Sequence, residues 1–86
     1  MEFEFDTNKS RENKKKHGID FIEAQILWDD PERIEIPAKT RDEPRSLLIG
    51  KRQRQHWSAV VTFRNEKTRI ISVRRSRKKE ILIYES

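Results

Sequence analysis

The stretch HWSAVVTFRNEKTRIISVRR, residues 56–75, decides the fold. Apolar and polar side chains alternate on both sides of a short polar segment, which predicts two antiparallel strands joined as a hairpin. Apolar residues pair best when a three-residue loop is placed at 66–68. The predicted core face then carries two apolar pairs, Phe63 with Ile71 and Val61 with Val73.

The opposite face of this predicted hairpin is half polar. It carries Thr62, Arg64, Ser72 and Arg74, whereas Arg69 falls on the core-facing register. A face of this composition makes a poor core. It is either a solvated surface or a floor that binds phosphate, and the alternation of residues alone favours neither.

Two helices are predicted before the sheet. Asp6 can cap a helix over 7–17, and Gly18 fits the left-handed position that ends one. This helix has no aliphatic residue, so it must dock through polar groups or serve as a functional surface. Asp20 and Glu23 have the spacing of a capping box, which predicts a second helix that ends before the next proline.

The remaining segments complete the predicted order. Strands are expected at 2–5, 32–36, 46–52, 56–64 and 69–75, with a proline-containing loop at 37–44 and a last helix over 77–86 capped by Ser76. This order predicts one α+β domain spanning residues 1–86. Its sheet is small and mostly antiparallel, with two N-terminal helices and one C-terminal helix.

Charge is unevenly placed along the chain. Charged residues make up 41% of the sequence, and the net charge is +5. The first 43 residues hold twelve acids and eight bases, whereas the last 43 hold three acids and twelve bases, eight of them arginine. Arginine binds phosphate through two parallel hydrogen bonds, so a polyanion partner is predicted. With no apolar run of about 18 residues and no signal-peptide pattern, we expect no membrane association and a cytoplasmic location.

The chain resembles the BrnT family of type II toxins over nearly its whole length. The residues that carry the resemblance are FEFD with Lys9 and Asn13, then KHGIDFIEA, WDDP, RDEPR before LLIGK, FRNEKTRIISVRRS, and the closing Glu80 and Tyr84. The sequence departs from the family pattern at Phe5, where tryptophan is usual. The turn between Arg64 and Arg69 is also shorter than in many members.

This resemblance implies a fold similar to the RelE superfamily. It also implies a ribonuclease that stops translation and is held inactive by a DNA-binding antitoxin resembling BrnA, in a hetero-oligomer. RNA can be cut without metal or cofactor when a base, one or two cations and an acid surround the phosphate. We therefore expect no cofactor and predict that Arg64 and Arg74 converge on one phosphodiester.

Eight residues are candidates for the site. The predicted catalytic residues are His17, Arg64, Arg74 and Glu80, and the predicted substrate-binding residues are Lys16, Arg69, Arg75 and Tyr84. Four of these also have structural interpretations: His17 as the end of a helix, Arg69 and Glu80 as members of ion pairs, and Tyr84 as a core ring. A non-catalytic nucleic-acid binder and a module that only binds an antitoxin are the alternative functions.

Overall fold

A five-stranded sheet organises the chain in the computed structural model, which describes residues 1–38 and 43–86. The elements in chain order are β1 (Phe3–Glu4), α1 (Thr7–His17), a 3-10 helix (Glu23–Asp29), β2 (Ile34–Ala38), β3 (Arg45–Arg52), β4 (Gln55–Arg64), β5 (Lys67–Arg75) and α2 (Lys78–Glu85). The strand order across the sheet is β1-β5-β4-β3-β2. The part of the predicted loop at 39–42 lies outside the described residues.

The sheet is mixed, which corrects the prediction of a mostly antiparallel sheet. Neighbouring strands from β2 to β5 pair in antiparallel fashion, but β1 pairs with β5 in parallel. The second N-terminal helix is also not an α-helix, because residues Glu23–Asp29 form a 3-10 helix. Its predicted capping box is present, since Asp20 Oδ1 accepts from the Glu23 amide at 2.7 Å and the Asp20 amide donates to Glu23 Oε1 at 3.0 Å.

The first helix begins and ends as its local sequence predicts. Asp6 accepts a hydrogen bond from the Lys9 amide at 3.0 Å, and Gly18 closes the helix with a φ of 82°. The helix docks through polar groups, as its lack of aliphatic residues requires. Asn13 donates to the backbone oxygens of Ile19 and Val73 at 2.8 and 2.9 Å and accepts from the Val73 amide at 3.2 Å. These bonds attach α1 to the edge of β5 that β1 leaves unpaired.

The register of the β4–β5 hairpin differs from the prediction. The turn has two residues, Asn65 and Glu66, both with positive φ, and this pairs Arg64 with Lys67 and Val61 with Ile70. A two-residue turn of this kind matches the twist of the strands. A β-bulge then inserts Ile71 as an extra residue. The predicted pairs Phe63–Ile71 and Val61–Val73 are therefore wrong.

The bulge decides which face each arginine of β5 occupies. Beyond the bulge, Ala59 pairs with Val73, and both are fully buried in the core. Before the bulge, Thr62 pairs with Arg69 on the opposite face. Arg69 was expected on the core face. The structure instead places it on the same face as Arg64 and Arg74, which we call the outer face.

The core lies between the sheet and the N-terminal segments. Its buried apolar residues are Ile19, Phe21, Ala24, Leu27, Leu48, Trp57, Ala59, Val61, Ile70 and Val73. Gly50 lets the 3-10 helix approach β3 closely, because a Cβ at this position would lie 3.1 Å from the Leu27 backbone oxygen. The last helix packs on the outer face and begins after Arg77. Ser76 was predicted as its cap, but the Ser76 hydroxyl lies 2.8 Å from that of Ser58 instead.

Candidate active site

A row of polar side chains crosses four strands on the outer face near the β4–β5 turn. The register aligns Arg45 of β3 with Thr62 of β4, Thr62 with Arg69 of β5, and Arg69 with Glu4 of β1. Arg64 stands two residues from Thr62 on the same face of β4. We call Glu4, Arg45, Thr62, Arg64 and Arg69 the Glu4 cluster. Adjacent strands are about 4.8 Å apart, so a phosphate above Thr62 would have an arginine on either side.

Glu4 lies between two of these arginines without a close hydrogen bond to either. Arg64 Nε is 3.5 Å from Glu4 Oε1, and Arg69 Nη1 is 3.8 Å from Glu4 Oε2. Glu4 Oε1 is buried and has no hydrogen-bond partner among the described residues. The Glu4 side chain as a whole is 27% exposed, so a substrate hydroxyl would approach its carboxylate away from this buried oxygen.

The arginines of the cluster keep their guanidinium groups accessible. The Arg64 side chain is 52% exposed and that of Arg69 is 29% exposed. Thr62 is buried, and its hydroxyl donates to the Pro44 backbone oxygen at 2.6 Å, so it forms a fixed floor. The cluster therefore combines three cations with the partly exposed Glu4 carboxylate, an arrangement suited to binding a phosphodiester and accepting a proton beside it. Arg45 also has a carboxylate of its own nearby, because its Nη2 lies 3.8 Å from Glu43 Oε1.

A second charged group lies under the first turn of α2. Arg74 binds Glu80 through two hydrogen bonds of 2.8 Å each. The Glu80 carboxylate also accepts from the Ser58 hydroxyl and the Arg77 amide, both at 2.9 Å. The Arg74 guanidinium, followed by the other donors, lowers the pKa of Glu80 to about 2 despite its burial. The same pair raises the pKa of Arg74.

The family model described as ribonuclease toxin, BrnT, of type II toxin-antitoxin system matches residues 5–80. The chain belongs to the BrnT family. Membership implies RNA as the substrate class and an antitoxin as the partner, because the family consists of ribonuclease toxins of such pairs. No curated protein matches the chain significantly.

The two charged groups of this BrnT chain lie at different places on the outer face. Arg74 pairs with Ser58, which is six residues along β4 from Arg64. At about 3.4 Å per residue, this separates the two arginines by about 20 Å along the strand. Arg74 is also held under α2 by Glu80. The predicted convergence of Arg64 and Arg74 on one phosphodiester is therefore wrong.

Tyr84 anchors the other end of α2 to the BrnT sheet. Its hydroxyl donates to Asp30 Oδ2 at 2.7 Å. Burial, together with this hydrogen bond to a carboxylate, raises the pKa of Tyr84 to about 12. His56 lies against Tyr84, with ring centroids 5.0 Å apart, and its Nε2 is 2.7 Å from Glu85 Oε2. Tyr84 and His56 therefore both hold α2 on the outer face.

Three other predicted residues lie away from the Glu4 cluster. Lys16 and His17 form the last turn of α1, beyond the point at which Asn13 binds Val73. This is the end of β5 farther from Arg69. Arg75 lies on the core side, with its guanidinium carbon 5.5 Å from the centre of the Trp57 ring. Of the eight predicted site residues, only Arg64 and Arg69 come together in this cluster.

Sequence reasoning assigned no role to Glu4 or Arg45, although both lie in segments that carry the family resemblance. The signal was present for Glu4, because alternation in EFEF places the acids on the face opposite the aromatic rings. The pairing of this strand with β5 could not be predicted from the sequence.

Among residues 1–38 and 43–86, no three histidine, aspartate or glutamate side chains are grouped as metal ligands. No helix in the same residues is long and apolar enough to cross a membrane.

Proposed function

We propose that this BrnT chain cleaves RNA at the Glu4 cluster by metal-independent transesterification and so inhibits translation. The observation that carries the proposal is the position of the partly exposed Glu4 carboxylate between Arg64 and Arg69. Family membership supports RNA cleavage as the activity. The cluster supplies a proton acceptor and cations at one place, which are the groups that this reaction needs without a metal.

The proposed reaction has a single displacement step. Glu4 takes the proton of the RNA 2′-hydroxyl, and the 2′-oxygen attacks the adjacent phosphorus. The bond from phosphorus to the 5′-oxygen breaks, and that oxygen takes a proton from water. The products are a 2′,3′-cyclic phosphate and a 5′-hydroxyl. Arg64, Arg69 and Arg45 stabilise the charge that builds on the non-bridging oxygens, because guanidinium groups bind such oxygens in pairs.

The other predicted site residues receive different proposed roles. Glu80 has both carboxylate oxygens engaged and a pKa of about 2, so we assign it and Arg74 to fixing α2 on the sheet rather than to proton transfer. Tyr84 has a similar anchoring role through Asp30. Catalysis by His17 and substrate binding by Lys16 and Arg75 stay predictions. An antitoxin resembling BrnA, which covers the basic outer face, is the proposed partner.

The test is cleavage of purified RNA by the isolated chain in EDTA. We expect products that end in 2′,3′-cyclic phosphate, and we expect Arg69→Gln to lower the rate about 10²- to 10³-fold. Arg11→Gln is the matched control, because Arg11 is an exposed arginine of α1 outside the cluster. Loss of cleavage in EDTA would refute the metal-independent mechanism. RNA binding that weakens with salt but gives no products would favour the non-catalytic alternative.

A further inference from the structure

Phe63 is the exposed aromatic residue nearest to the Glu4 cluster. Its side chain is 67% exposed, and it lies outside the core cluster. The ring contacts among the described residues join Phe3 to Trp28, Phe5 to Phe21 and His56 to Tyr84, so Phe63 takes part in none of them. Its strand partner is Thr68, one pair away from the hairpin turn. Packing within the chain does not account for a phenylalanine at this position.

The cations nearest to Phe63 lie at the same hairpin end but on the outer face, opposite its ring. Arg64 follows it in β4, Lys67 is paired with Arg64, and Arg69 lies one strand away from Thr62. Glu66 in the turn is the single acid between 63 and 69. An exposed aromatic ring at a hairpin end whose opposite face carries cations offers both groups that hold single-stranded nucleic acid, because a base can stack on the ring while the cations hold the neighbouring phosphates.

We propose that Phe63 is a stacking platform for an unpaired base of single-stranded RNA next to the scissile phosphate. The inference rests on the proposed function, since it places the same RNA strand across the Glu4 cluster. Side chains of Phe63 and Arg64 point to opposite faces of β4, so the strand passes over the hairpin end, where only the two turn residues lie beyond. A base can reach Phe63 in this way only when it is not paired and stacked within a duplex.

A structural role for Phe63 makes a different prediction. A cross-strand pair with Thr68 would stabilise the hairpin slightly and would have no effect on RNA binding. The stacking role instead predicts that removal of the ring weakens the binding of single strands in particular. It also predicts that another aromatic residue restores binding.

The experiment measures binding of a single-stranded 2′-O-methyl RNA oligonucleotide by fluorescence anisotropy at low salt. This probe has no free 2′-hydroxyl, so it is not cleaved. We expect Phe63→Ala to weaken binding about 5- to 150-fold, since stacking of one base is worth about 1–3 kcal/mol. Phe63→Trp should bind as the unaltered chain does, and binding of a 2′-O-methyl duplex should not change in either variant.

The matched control is Leu82→Ala, because Leu82 is an apolar residue of α2 with 63% exposure, away from the hairpin end. It should leave binding unchanged. Thermal unfolding of each variant shows that it is folded. Unchanged binding by Phe63→Ala, an equal loss for duplex and single strand, or no binding of the probe by the unaltered chain would each overturn the inference. Because the probe reports binding alone, this result is independent of whether the chain cleaves RNA.

Discussion

Replacement of Glu80 by glutamine tests whether the Arg74–Glu80 pair is structural. The substitution keeps the size of the side chain but removes its charge. Arg74, whose side chain is 25% exposed, then loses its ionic partner. A shift of the Glu80 pKa from 4.5 to about 2 corresponds to roughly 3 kcal/mol as an upper limit. Solvent screening at this partly exposed pair reduces the effect, and we expect the free energy of unfolding to fall by about 2 kcal/mol at pH 7.

The loss of stability in Glu80→Gln is expected to depend on pH. The folded-state pKa of Glu80 is lower than its unfolded value. Its contribution to the free energy of unfolding is therefore complete above pH 4.5 and is lost as the pH falls towards 2. The difference in stability between the unaltered chain and Glu80→Gln should therefore be largest at neutral pH and shrink towards zero in acid. Cleavage by the variant should stay close to that of the unaltered chain while the variant is folded.

Urea unfolding followed by circular dichroism, at several pH values between 2 and 7, measures the effect. In thermal unfolding, a loss of about 2 kcal/mol corresponds to a shift of roughly 8–16 °C in a domain of this size. Glu12→Gln is the matched control, because Glu12 is exposed on α1. A Glu80→Gln variant that is as stable as the unaltered chain at pH 7, or that is folded but no longer cleaves RNA, would show that the pair is not structural.

Three further substitutions test the anchors of the fold by denaturant unfolding. Asn13→Ala should cost about 3–5 kcal/mol, because it leaves buried backbone groups of Ile19 and Val73 without partners; a loss below 1 kcal/mol would contradict this. Gly18→Ala should lower the free energy of unfolding by about 1 kcal/mol. The left-handed φ of 82° is the only cause, since a Cβ at this position would contact nothing within 4 Å. Tyr84→Phe should cost about 1 kcal/mol. Because the pKa of Tyr84 is raised from 10.0 to about 12, that cost should be present below pH 10 and disappear as the pH rises through 12; a constant difference would argue against the bond to Asp30.

The parts of the fold that sequence predicts best are those fixed by local chemistry. The bounds of α1 follow from Asp6 and Gly18, which act within a few residues of the helix ends. The capping contacts of Asp20 and Glu23 were also local and are confirmed. The 3-10 geometry of the helix that follows them could not be predicted, because the same cap fits either kind of helix. The close packing of this helix against Gly50 is a tertiary effect.

The hairpin shows why the candidate site was harder to predict. Pairing of apolar residues favoured a three-residue loop, but the chain uses a two-residue turn and recovers apolar pairing with a bulge at Ile71. A single extra residue reverses the face on which all preceding side chains lie. It moved Arg69 to the outer face, beside Arg64. Glu4 reached the same place through β1, a parallel pairing with a distant segment that no local pattern reveals.

The most direct test compares RNA cleavage by Glu4→Gln with that by Glu80→Gln, in EDTA, with both variants shown to be folded. We expect Glu4→Gln to lower the cleavage rate about 10²- to 10⁴-fold, as for loss of a general base, while Glu80→Gln retains activity. Cleavage by Glu4→Gln at the rate of the unaltered chain would contradict the assignment of Glu4 as the base.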